Sequence, residues 1–287
     1  MVSRSFLSAA TLLLVAGISS TSVRTALARD GASAKPASLT KANSVTFHAK
    51  DFAFTGPSTI PAGWTRFNLV NDGQNLHHMV VAKIGGGKTF VDLMHALQQP
   101  GPPPRWMELV GGPNAADPGG HESNATVDLA PGTYALLCFV DVPGGVAHIA
   151  KGMARELTVT PATASGSAPV ADEVVTLSDY AFAFSKPLTA GKHVFEVRNT
   201  GPQPHELELL RLAPGKTADD MLAWIGKPNG PPPGSSVGGL APVNPGVNGY
   251  FDATLTPGNY LFICFLPDAR DGKAHYAHGM SKTITVH

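Results

Sequence analysis

His77, Cys138, His148 and Met153 carry side chains that can bind a soft or borderline metal. A second set, His205, Cys264, His275 and Met280, follows in the same order. The spacing is Cys-x9-His-x4-Met in the first and Cys-x10-His-x4-Met in the second, each with a His about sixty residues upstream of the Cys. Singly, each residue has a plainer reading: a structural His, a Cys serving as a small hydrophobe, a Met filling a gap. As an ordered set they have a chemistry in common. Two imidazoles, a thiolate and a weak axial thioether form a mononuclear copper site able to pass single electrons.

The two sets belong to an internal repeat. NDGQNLHHMVVAKI (71–84) aligns without a gap on NTGPQPHELELLRL (199–212), LAPGTYALLCF (129–139) on LTPGNYLFICF (255–265), and AHIAKGM (147–153) on AHYAHGM (274–280). The near-constant offset implies one topology written twice. Residues 29–43 read as a flexible leader and residues 161–172 (PATASGSAPVAD) as a linker. The domains are then expected at 44–160 and 173–287. Within each, the residues that must hold the ligands read mostly as strands. VTFHAKDFAF and VVTLSDYAFAF mix alternation with β-branched and aromatic residues, and GWTRFNLVN and GKHVFEVRN end in Asn-x-Gly turns. TYALLCF and NYLFICF are apolar on both faces, as buried strands should be. TFVDLMHALQQ and TADDMLAWIG read as one short helix per repeat, each opening at a Thr and stopping before a Pro/Gly-rich segment. The fold class expected is all-β: two tandem Greek-key β-sandwich domains, each with one short helix.

Composition agrees with a turn-rich β-protein, with 31 Gly, 25 Pro and few charges. Basic and acidic residues balance at 21 each, and no basic stripe points to nucleic acid. Residues 1–28 read as a Sec-type signal peptide, with Arg4, an apolar run and Ala26-Leu27-Ala28 as the cleavage site; a membrane anchor is the competing reading. The mature protein would then be periplasmic or secreted, with no membrane span after cleavage.

Neighbouring histidines compete for the same roles. The gapless alignment sets Glu206 over His78 and so favours His77 as ligand, leaving His78 exposed or behind the ligands. Lys151 lies over His278 and so favours His275. A Cys138–Cys264 disulfide requires Cα atoms within about 7 Å, which two separate cores do not supply.

PGTYALLC and PGNYLFIC, the following His-x4-Met segments, and NLHHMVV and QPHELEL upstream resemble the cupredoxin (type 1 blue copper) family over nearly all of both domains. The ligand loop is similar to that of the type 1 domain of copper nitrite reductases, though a residue or two longer. The resemblance implies a copper cofactor, one type 1 ion per domain, held by His77, Cys138, His148 and Met153 and by His205, Cys264, His275 and Met280. In related copper oxidases and nitrite reductases a His flanks the type 1 Cys and feeds a second copper. Here the flanks are Leu137 and Phe139, and Ile263 and Phe265. The expectation is therefore an exported electron carrier, not an enzyme, exchanging single electrons with redox protein partners. The alternatives are a periplasmic copper carrier or storage protein, and a two-domain copper oxidase or nitrite-reductase-like enzyme with an interface copper that draws on His78 or His121.

Overall fold

The computed structural model describes residues 41–99, 101–142, 145–162 and 166–287. The signal-peptide segment, most of the leader and residues 163–165 of the expected linker lie outside the described residues. Among the described residues no helix is long and apolar enough to cross a membrane.

The strands assemble into two long sheets. In the first the order is Ala181–Phe184, Glu173–Ser178, Gly191–Asn199, Asn248–Leu255, His121–Leu129, Gly63–Asn71, Asn43–Lys50, Ala53–Thr55. In the second it is Ser281–Val286, Gly258–Ile263, His205–Leu212, Gly234–Val243, Met107–Gly111, Val80–Ile84, Gly132–Leu137, Ala154–Thr160, Thr59–Pro61. Alternating burial in strands such as Gly63–Asn71 turns one face inward. The inward faces of both sheets meet in one core that runs from Phe47, Phe67 and Leu136 through to Phe195, Leu207 and Phe262. The outer face of the second sheet is also apolar. It is covered by the helices Phe90–Leu97 and Ala218–Gly226, through Leu93 and Met221. Thr89 and Thr217 cap these helices, each exchanging hydrogen bonds with an Asp three residues on, Asp92 and Asp220.

Two tandem Greek-key sandwich domains are not what forms, and that expectation is corrected. Both sheets run from one repeat into the other, so the chain winds between two shared sheets as one mostly-β body with two short helices. In the first sheet the junction is the Tyr250–Thr126 pair, reinforced by Asn124, whose side chain bonds the backbone N–H and C=O of Asp252 at 2.9 and 3.0 Å. In the second, Val243 pairs with Val110, and reciprocal bonds join the adjoining residues: Ala241 N–H to Gly112 C=O at 2.9 Å and Asn114 N–H to Gly239 C=O at 3.3 Å. The physical reason is edge pairing. Each repeat taken alone leaves strand edges with unpaired backbone groups, and the second copy meets one edge of each sheet at a few positions. Gly112 and Gly239 have φ of +120° and +144°, and a Cβ on either would stand 2.1 Å from the Met79 carbonyl oxygen or 2.0 Å from that of Leu207. Glycine is therefore required on both sides of the seam.

The seam also buries Glu208. Its carboxyl accepts from Ser236 Oγ at 2.5 Å and Ala115 N–H at 3.1 Å. Burial pushes its pKa well above the usual carboxylate value, and Glu206 and Asp117 push it the same way. The folded state therefore keeps a proton that the unfolded state releases, and stability falls as pH rises from the unfolded value through the folded one. Glu208→Gln removes this contribution. As pH rises above the ordinary carboxylate value, the melting temperature of the wild type should fall relative to that of the variant. Parallel pH profiles for the two proteins would contradict the assignment.

Candidate metal centres

The residues expected as ligands converge at two places. In the first, His77 Nδ1 and His148 Nδ1 are 3.0 Å apart, with Cys138 Sγ 3.4 Å from His148 Nδ1 and 4.0 Å from His77 Nδ1. In the second, His205 Nδ1 and His275 Nδ1 are 3.0 Å apart and Cys264 Sγ lies 3.3 Å from His275 Nδ1. All six residues are fully buried. Cys138 and Cys264 are free thiols, one in each centre, so no disulfide joins them.

Local structure explains the convergence. Cys138 directly follows the buried strand Gly132–Leu137, whose entry is pinned by the Tyr134 hydroxyl donating to Ala130 C=O at 2.8 Å. His148 opens a single 3-10 turn closed by Gly152 in the left-handed region, which lets Met153 N–H return to His148 C=O at 3.0 Å. Met153 C=O then accepts from Cys138 N–H at 3.2 Å. Met280 makes the same two bonds with His275 and Cys264. His77 is held by a two-way backbone bridge with Ala116, and His205 opens the strand His205–Leu212. Before each upstream His, the buried side chains of Asn71 and Asn199 shape the turn: each accepts from the glycine two residues on and donates to two backbone carbonyls. Those glycines, Gly73 and Gly201, lie against the ligands. A Cβ there would stand 2.8 Å from His77 Nε2 or His205 Nε2.

Asp51 and Asp179 complete the geometry. Asp51 Oδ1 accepts from His77 Nε2 at 2.6 Å, and Asp179 Oδ1 from His205 Nε2 at 2.7 Å. Burial works against ionisation of Asp51, but hydrogen bonds from Gln74 N–H and His77 hold its pKa at about 2. An ionised carboxylate on Nε2 keeps the proton there and leaves the Nδ1 lone pair facing the cluster. Burial holds His148 and His275 at about 4, so their rings are neutral, and it pushes the Cys138 thiol up to about 12 and the Cys264 thiol higher still. Neutral imidazoles and a thiol around one point form a donor set that a metal cation completes, displacing the thiol proton. The Nε2 atoms of His148 and His275 are buried without a hydrogen-bond partner.

Among His, Cys and carboxylate donors the converging sets are His2Cys, and the description is cut back from type 1 His2CysMet to these buried triads. Met153 and Met280 are fully buried in the core and tied to the centres through their backbones. His78 is buried, not exposed. It accepts from Phe139 N–H at 2.8 Å, so it is not available for an interface copper. His121 is exposed at the start of its strand. His278 is at the rim of the second centre, against Tyr180 and 3.1 Å from Asp271 Oδ1. With Asp268 and Asp271 it forms a third group of converging donors, but the Asp268 oxygens already accept from Tyr180, Gln203 and Arg270. Sequence reasoning missed Asp51 and Asp179. They are related by the same offset as His77 and His205, which was the available signal.

No protein-family model matches the chain, and no curated protein matches it. Solved structures that align include auracyanin from Roseiflexus castenholzii, 22% identical over 42% of this chain and 99% of that one, with a TM-score of 0.31. The Cu-containing nitrite reductase of Thermus scotoductus SA-01 is 11% identical over 86% and 62%, with a TM-score of 0.24. The blue copper oxidase of Nitrosomonas europaea is 15% identical over 86% of each chain, with a TM-score of 0.25. These likenesses are weak and partial, and they identify no family. Membership of the cupredoxin family as a tandem pair, with a nitrite-reductase-type loop, is therefore corrected to a weak local resemblance. The expectation of a single-electron carrier that is not an enzyme is corrected as well, because one body holds two complete buried metal triads.

Removing the carboxylate behind one upstream His tests the assembly. Asp51→Ala should weaken metal binding at the first centre by roughly 10–100-fold and leave the second unchanged. Competition against a chromophoric copper(I) chelator resolves the two. Unchanged affinity at both centres would mean that the carboxylate does not set the ligand.

Proposed function

We propose that this protein is a copper-dependent oxidoreductase, with one copper in each His2Cys centre. The observation that carries the reading is the presence of two complete, buried triads at matched positions in one continuous body. Thiolate and imidazole together favour copper and tolerate both of its common oxidation states. A simple carrier needs a single centre. Two centres match a substrate that gives or takes electrons in pairs. When bound, copper would supply one-electron exchange at each centre. The chain itself supplies the rest: Cys138 and Cys264 as thiolates, four imidazoles through Nδ1, Asp51 and Asp179 to fix the tautomers of His77 and His205, and a core that excludes water. An exported site of action, periplasmic or secreted, is part of the proposal and rests on the apolar segment after Arg4 and the small-residue site at Ala26–Ala28.

Copper titration and turnover test this reading. The wild type should take up two coppers per chain, show thiolate-to-copper absorption and sustain oxidation of a quinol or aromatic amine with dioxygen or nitrite as acceptor. Cys138→Ala and Cys264→Ala should each retain one copper and lose turnover. A protein that binds no copper overturns the proposal, as does one that binds two coppers but only exchanges electrons stoichiometrically.

A further inference from the structure

His78 and Glu206 occupy the same place in the two repeats, immediately after the upstream ligand. They differ in chemistry, yet each accepts from the N–H that follows its cysteine: Phe139 N–H to His78 Nε2 at 2.8 Å, and Phe265 N–H to Glu206 Oε1 at 2.9 Å. Both are buried. Between them, on the seam, lies Asn114, itself only 2% exposed. Its Nδ2 is 3.5 Å from Glu206 Oε2 and from Leu240 C=O and donates to Leu207 C=O at 3.1 Å, and its side chain lies within polar reach of His78. The position is unique. The GG segments of the seam align Asn114 with Ala241, which has no polar side chain. The link between His78 and Glu206 is therefore made once, on one side of an otherwise reciprocal junction.

We propose that Asn114 is a positioning residue that joins the two metal centres into one electron-sharing unit, by holding His78 and Glu206 in a continuous path from Cys138 to Cys264. This rests on the copper reading of those centres. The path runs from Cys138 through the Phe139 N–H to His78, Asn114 and Glu206, and then through the Phe265 N–H to Cys264. The two outer links are hydrogen bonds to backbone N–H groups, and the two inner ones are polar contacts of the Asn114 side chain, 3.5 Å long on the Glu206 side. The step it serves moves one electron: a copper(I) at one centre is oxidised as a copper(II) at the other is reduced, with no bond broken and no proton transferred. Burial is essential to the role. A side chain that only filled space here would be apolar, since an Asn in this position must find partners for all its polar atoms. Once satisfied, such a network is rigid and specifies one arrangement.

The test uses the full chain loaded with copper, with copper content measured first. A sub-stoichiometric pulse of a one-electron reductant is followed optically as the electron redistributes between the centres. In Asn114→Leu the redistribution rate should fall about tenfold or more, the loss that about 1.4 kcal/mol of activation free energy gives. Both coppers and both individual spectra should be retained. Asn114→Ala, which copies the residue at the equivalent position, should show the same loss and replaces the Leu variant if that one does not fold. Redistribution at the wild-type rate in a variant that keeps both coppers overturns the link alone. A wild type that binds no copper overturns the functional reading with it.

Discussion

Two imidazole nitrogens 3.0 Å apart, both turned towards a buried sulfur, are the arrangement on which the rest of this structure depends. Lone pairs that close repel unless a proton or a cation lies among them, and water is excluded. Nothing in the donor residues enforces such a geometry. It is imposed from outside by the aspartate on the far nitrogen of one ring, by the 3-10 turn that delivers the other, and by a strand fixed on both sides that carries the sulfur. Each constraint is backbone or charge-assisted, the kinds least able to relax. The pocket is therefore preorganised for a cation before one arrives, which lowers the cost of ordering ligands on binding.

The seam explains how two such centres share one body. Merging the sheets brings one edge of each sheet in one repeat against its counterpart in the other. It also brings the strand that begins at His205 into the same sheet as the strand that follows His77. The cost is polar burial: Glu208, Glu206, His78 and Asn114 are all enclosed near the junction. That cost is met mainly by backbone N–H groups, by the Leu207 C=O and by Ser236. Groups of this kind hold one register firmly, because a slip of one residue would leave several of them without partners.

Much of this was legible in the chain, and the boundary of legibility is physical. The convergence of the six triad residues was readable because metal binding calls for residue types that duplication then reproduced at matching offsets. The helices were readable because Thr89 and Thr217 cap them through bonds that span three residues. Asp51 and Asp179 were hidden because an aspartate in a turn has many ordinary uses, and only contact with an imidazole far along the chain gives it this one. The merged sheets were hidden for a stronger reason. Edge pairing such as Val110 with Val243 involves residues with no local pattern between them, so two tandem domains and one shared body have the same periodicity.

Duplication also sets up a difference that the repeat conceals. The triads match, but their surroundings do not. Phe52 packs on His148 with Lys151 over its ring, whereas Tyr180 packs on His275 beside Asp268, Arg270 and His278. Behind the upstream ligand stands an imidazole in one repeat and a carboxyl in the other, and burial drives His78 down to about 4 while it drives Glu206 up to about 7. Charges and dipoles this close to a metal shift its preference between oxidation states. Two clusters of identical residues thus sit in unequal fields. Such inequality would give an electron a direction between two bound metals, and it requires a duplicated site whose neighbours were free to diverge while the triad residues were not.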